Sequence, residues 1–147
     1  MGIRHLARQR ALELLYSLEY SPEQFDQAEA EFLGATSKRR KNWGKFPHEL
    51  ARLTHEHASE LDAEISPALE KWKIDRLPRL DRLCTRMAVC EFRYFPDVPI
   101  RVTLDEYVEL AKLFGTEDSP QFINGVLDKI SKNYKEKDFQ VGNKETA

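Results

Sequence analysis

The chain of 147 residues is 41% apolar and 33% charged, with 23 Lys+Arg against 25 Asp+Glu and a formal net charge of −2. That length suits one ordinary domain, able to bury roughly 70% of the surface its unfolded chain exposes without staples. No apolar run approaches the ~20 residues of a bilayer span, so no membrane association is expected, and the near-neutral total excludes a polybasic, histone-like binder. The basic start at residues 1–8 lacks a following apolar region and does not read as a secretory signal. Leu6 stands where myristoylation would want Ser or Thr. Cys84 and Cys90 lie six apart, about 600° around a helix, and so cannot pair. They read as small buried hydrophobes in a reducing cytoplasm, which is the expected location.

Taken in chain order, Ala7, Ala11, Leu14, Leu15 and Leu18 form one helical stripe within residues 3–20. Ser21-Pro22-Glu23-Gln24 offers an N-cap, a first-turn proline and a capping-box Gln for a second helix, with Phe25, Ala28 and Phe32 inward and Gly34 at its end. Pro47 opens a third helix whose inward residues are Leu50, Leu53, Ala58, Leu61 and Ile65. Ser66-Pro67 caps a short fourth, ending near Trp72. Leu77-Pro78 starts a fifth, with Leu80, Leu83, Cys84, Met87, Ala88 and Phe95 toward the core. After the break at residues 96–99, a sixth carries Leu104, Val108, Ala111 and Phe114 and closes at Gly115. Asp118-Ser119-Pro120 caps a seventh, striped by Phe122, Ile123, Val126, Leu127 and Ile130. Residues 137–147 read as a polar tail that frays. With no sustained period-two alternation, the expectation is an all-α chain of about seven helices.

The total of −2 conceals a block pattern. Arg4, Arg8 and Arg10 occupy residues 1–12 without an acid, Glu13, Glu19, Glu23, Asp26, Glu29 and Glu31 occupy 11–35 without a base, and Lys38, Arg39, Arg40, Lys41 and Lys45 surround Trp43 and Phe46. Basic groups draw phosphates by counterion release, and an interleaved aromatic offers a stacking face. Arginines in a first turn are mildly opposed by the helix dipole, which suggests that they serve something other than helix stability.

No constellation points to catalysis or a metal. His55 and His57 lie about 200° apart on a helix, and Arg52 sits on the face that His48 and His55 share. His48-Glu49 begins like a zincin motif, but Arg52 occupies the second histidine position. Neither P-loop nor dinucleotide fingerprint occurs, and Asp105-Glu106 and Glu117-Asp118 read as solvated acids. The expectation is a non-enzymatic binder without cofactors. One local oddity is Asn124-Gly125 inside an apolar stripe, where the glycine costs about 1 kcal/mol of helix propensity. The expected reason is close packing against another backbone, with a partner for Asn124.

Three motifs are more specific: Phe122-Ile123-Asn124-Gly125-Val126-Leu127, Glu106-Tyr107-Val108-Glu109-Leu110-Ala111-Lys112, and Leu61-Asp62 with Trp72 and Arg76-Leu77. Through them residues 4–130 resemble the NusB family of bacterial transcription antitermination factors. The resemblance implies two helical subdomains, about 1–73 and 74–136. It also implies binding of the single-stranded boxA element of nascent ribosomal RNA, jointly with NusE, a small-subunit ribosomal protein, within the RNA polymerase antitermination complex. Carried over by position, the RNA-binding residues would be Arg4, His5, Arg8, Arg10 and Tyr16, then Asp118, Ser119, Gln121 and Phe122. The basic residues Lys38, Arg39, Arg40 and Lys41 would add to them. The partner surface would be Arg76, Leu77, Asp81 and Arg82.

The chain departs from the family pattern at His5, where a second Arg is usual, at Asp105, and at Thr85, which replaces a Leu and needs a hydrogen bond if buried. Tyr16 and Arg86 read as structural. Two other readings stay open: a protein-interaction adaptor whose acidic 11–35 block takes a basic ribosomal protein, and the substrate-binding domain of an RNA-modifying enzyme.

Overall fold

The computed structural model describes residues 3–34, 43–71, 73–134 and 137. Among them are seven α-helices and no strand: α1 (Ile3–Leu18), α2 (Phe25–Leu33), α3 (Phe46–Glu56), α4 (Ala58–Ile65), α5 (Arg79–Tyr94), α6 (Ile100–Phe114) and α7 (Ser119–Ser131). The all-α expectation holds, but the helices are partitioned differently. The expected third helix breaks at His57, which ends α3 with its N–H bonded to Leu53 O at 3.0 Å. The expected short fourth helix shrinks to a 3₁₀ turn, Ser66–Ala68, in which the Ser66 hydroxyl bonds back to Asp62 O. Trp72 lies outside the described residues.

Two compact units divide the chain, Met1–His57 and Ala58–Ala147. The boundary falls at the α3–α4 break and not near residue 73, because Leu61 and Ile65 of α4 are fully buried and α4 packs on α5 and α7. In the first unit, α1 packs on α2 and α3 through Ala7, Ala11, Leu14, Leu15 and Leu18. Burying each leucine contributes about 2 kcal/mol. α2 begins at Phe25, three residues later than Pro22 suggested. Residues 21–24 form a turn with Gln24 N–H on Ser21 O, and Gln24 supplies no side-chain cap. Burial of Phe25 outweighs the capping signal: its ring stacks on His55 at 5.4 Å and carries the Arg52 guanidinium at 4.5 Å. Gly34, at φ 74°, ends the helix, with its N–H on Ala30 O.

In the second unit, α5 packs against α4, α6 and α7 and is buried along most of its middle, with Arg79 and Arg93 exposed near its ends. Two of its buried polar side chains are matched. Thr85 Oγ1 donates to Asp81 O at 2.7 Å, supplying the bond its substitution for Leu required. Glu91, completely buried, accepts from Thr103 and Tyr107 of α6. Arg86 forks onto both oxygens of Asp62 at 2.6 and 2.7 Å, tying α5 to α4 as the structural reading anticipated. Cys84 and Cys90 are buried and unbridged, and burial pushes the Cys84 thiol up to about 12. Not every inward expectation holds. Phe114 is 49% exposed because the buried stripe of α6 ends at Ala111. Leu53, Ala58, Leu80 and Val108 are half-buried. Lys137, read as part of a fraying tail, is buried and donates to Glu91 O at 3.0 Å.

Candidate nucleic-acid interface

In the first unit the arginines of α1 pack against neighbouring helices. Arg4 and Arg8, four residues apart and hence on one face, both lie over the Phe46 ring of α3, at 4.5 and 5.1 Å. Arg8 is 2% exposed, whereas Arg4 reaches solvent. Arg10 donates to Phe32 O of α2 and to Glu13. The arginines therefore fasten α1 to its neighbours, and two guanidiniums on one ring concentrate positive charge where Arg4 emerges. His5 is buried and Tyr16 is 39% exposed. Lys38, Arg39, Arg40 and Lys41 lie outside the described residues; Lys45 is exposed at the start of α3.

The acidic block is partly engaged inside this unit. Glu29 accepts from His48 at 2.9 Å and from Arg52 at 3.2 Å, and Arg52 also reaches Asp26. Those histidines are thus occupied with an acid and an aromatic ring. Among the described residues no group of three or more His, Cys, Asp or Glu could hold a metal ion. Among the described residues no helix is long and apolar enough to cross a membrane.

In the second unit the start of α7 presents Asp118 and Gln121 to solvent and leaves Phe122 half-buried. Asp118 occupies the N-cap position without a side-chain cap bond. Ser119 does the ordering instead. Only 1% exposed, its hydroxyl oxygen accepts from Thr116 N–H at 3.0 Å and lies 3.1 Å from the Thr116 hydroxyl. Gly115 makes this possible. Its φ of −91° suits any residue, but a Cβ there would lie 2.6 Å from the Ser119 side chain and 2.8 Å from Ala111 O.

The fold sets Ser119 at the start of α7 beside Asp81 at the start of α5. It thereby brings together one residue from the expected partner surface and one from the expected RNA surface. Asp81 is 5% exposed, and its Oδ1 has no hydrogen-bond partner among the described residues. Burial raises its pKa above the ordinary carboxylate range, while the nearby Ser119 hydroxyl pulls the other way. Leu77 is buried, Arg82 half-buried, and Arg76 exposed in the turn Ile74–Arg76.

Beside Phe122 runs a groove of about 270 Å³. One wall is α7, through Gln121, Phe122, Gly125 and Val126; the other is Ala68 and Leu69. Lys129 crosses one end to pair with Glu70, holding that carboxyl below its ordinary range, and Lys71 stands exposed on the rim. Asn124 and Gly125 are both exposed, so the packing role expected for them is not what the structure shows. The spacing of Phe122, Gly125 and Lys129 was legible in the sequence as one helical face. The opposite wall was not, because it comes from a segment more than fifty residues away.

Fold and surfaces together define an all-α protein of two helical units. The sequence model of the NusB family matches residues 5–132. The transcription antitermination protein NusB of Geobacter sulfurreducens is 39% identical over 145 residues, covering 93% of this chain and 99% of the relative. That of Myxococcus xanthus is 38% identical over 134 residues, covering 89% and 96%. The chain belongs to the NusB family, a family of transcription antitermination factors. Among solved structures, T. maritima NusB superposes with a TM-score of 0.82 at 35% identity, covering 95% of this chain and 98% of that one. A structure of the antitermination factors NusB and NusE in complex with dsRNA superposes at 0.74 with 27% identity, covering 91% and 99%.

Proposed function

We propose that the chain binds the boxA element of nascent ribosomal RNA together with NusE and, without catalysing a reaction, suppresses premature termination by RNA polymerase in the cytoplasm. The observation that carries this reading is the start of α7, where half-exposed Phe122 borders the groove and Asp118 and Gln121 face solvent. Unpaired bases are recognised by stacking on aromatic rings and by polar groups along their edges, which is the chemistry this helix start offers. Phosphate contacts come from Arg4 and from Lys38, Arg39, Arg40 and Lys41. Arg8 and Arg10, held on Phe46 and Phe32, shape the surface around them, with His5 and Tyr16 on the same helix. NusE takes the surface around Arg76 and Arg82, with Leu77 and Asp81 supporting it from beneath. A solved relative bound to NusE and dsRNA supports the pairing of partners. The adaptor reading loses ground because Asp26 and Glu29 of the acidic block are engaged by Arg52.

Titration of boxA RNA and of a scrambled RNA at several salt concentrations tests the proposal. Four to six phosphate contacts give a log K against log salt slope of about −3 to −4 on single-stranded RNA. Arg4→Ala weakens both RNAs alike, while Phe122→Ala weakens boxA more. A flat salt response, or equal losses for both RNAs in Phe122→Ala, refutes this division of roles.

A further inference from the structure

Gly115 and Gly125 lie ten residues apart and differ in what explains them. Gly115 is required by its neighbours, since a Cβ there has no room. Gly125 is required by nothing among the described residues: a Cβ would meet no atom within 4 Å, the residue is exposed, and its φ is not in the left-handed region. A glycine in the middle of a helix lowers stability relative to alanine by leaving the backbone mobile when unfolded and bare when folded. The bare stretch lies on the groove wall. Phe122, Gly125, Val126 and Lys129 follow one another at helical spacing along one face of α7, a run of about 10 Å.

We infer that Gly125 sets the shape of the groove, leaving the backbone of α7 uncovered so that one unpaired RNA base can lie flat between Phe122 and Lys129. This rests on the RNA-binding reading above and adds to it the residue that admits the base. The groove suits such an occupant. Phe122 supplies an aromatic face, the Gln121 amide offers a donor and an acceptor to a base edge, and Leu69 and Val126 give apolar walls. On the rim, Lys71 and Lys129 outnumber Glu70, leaving positive charge for the phosphate that accompanies a base. A docked protein helix, itself about 10 Å across, needs a trough several turns long and not a cavity of this size.

The test is Gly125→Ala beside Phe122→Ala in the full chain. It uses fluorescently labelled single-stranded boxA RNA and a set of the same RNA carrying one abasic position at a time. Gly125→Ala is expected to melt a few degrees higher than the parent, because the helix gains propensity and nothing is crowded. It is also expected to bind the intact RNA about tenfold more weakly, in line with the loss of one stacked base. At one abasic position the parent and Gly125→Ala should bind equally, identifying the seated base. If Gly125→Ala binds RNA as the parent does while Phe122→Ala does not, the inference fails and the RNA reading stands. If neither variant changes RNA binding, the RNA reading of this groove fails as well. A lower melting temperature for Gly125→Ala shows that glycine serves packing, and weakened NusE capture with unchanged RNA binding assigns the groove to a protein; either overturns the inference.

Discussion

Gly115→Ala should destabilise the protein through one identifiable collision. The added Cβ would sit 2.6 Å from Ser119 Cβ and Oγ and 2.8 Å from the backbone oxygen of Ala111. Neither Ser119 Cβ nor a carbonyl oxygen can swing aside, so relief requires α6 and α7 to separate slightly. Overpacking of this kind costs about 3 kcal/mol at the upper end of its usual range. Alanine recovers about 1 kcal/mol by restricting the unfolded chain, since φ at this position is −91° and unstrained. The net loss of about 2 kcal/mol corresponds to about 6 °C in melting temperature for a chain of this size. Thermal melts followed by far-UV circular dichroism measure it. The cause is isolated by a cycle with Ser119→Gly, which removes both 2.6 Å contacts and leaves only the carbonyl. The double variant should recover at least about 1 kcal/mol relative to the sum of the singles. A melting temperature within about 1 °C of the parent, or strict additivity, would refute the reasoning.

Two further perturbations probe the second unit. Asp62→Ala strips the fork partner from Arg86, whose side chain is only 17% exposed. Discounted for that residual solvent access, the loss should be about 2 kcal/mol in denaturant unfolding, with RNA affinity per folded molecule unchanged; a coincident loss of RNA affinity would mean that Arg86 also faces the ligand. For Asp81 the folded pKa is raised, chiefly by burial, so the fold favours its protonated form. The resulting stabilisation is complete below the unfolded pKa and is lost as pH rises through the folded value. Asp81→Asn should therefore melt higher than the parent at pH 7, with the gap closing as pH falls toward the ordinary carboxylate range. A gap independent of pH would place the cause elsewhere.

The apolar spacing of α1, α5 and α7 was enough to locate them, and Thr85 announced its need for a hydrogen bond before its partner was known. What sequence reasoning missed depends on distance through space. The proline at residue 22 argued for a helix start that the burial of Phe25 against His55 and Arg52 overrides. The run from Pro47 to Ile65 reads as one helix, because nothing local says that Leu61 and Ile65 belong with α5. Arg8 reads as a phosphate ligand until Phe46 is seen beneath it, thirty-eight residues away in the chain. Nothing local marks Glu91 as a buried acid, since Thr103 and Tyr107 meet it only after α6 folds back. Of the candidate site, the α7 face was legible and the wall opposite it was not.

The buried position of Ser119 at the start of α7 bears on how tightly a surface of this size can hold a ligand. Recognition by loops loses affinity to the ordering of those loops on binding. Here the first turn of α7 is already ordered by buried Ser119, which accepts from Thr116 N–H and sits beside Asp81 of the largely buried α5. Gln121 and Phe122 therefore meet a ligand on a backbone already ordered during folding, so a modest contact area can yield useful affinity and slow release. Such a surface should discriminate by shape more sharply than it adapts, tolerating little change in the spacing of what it binds.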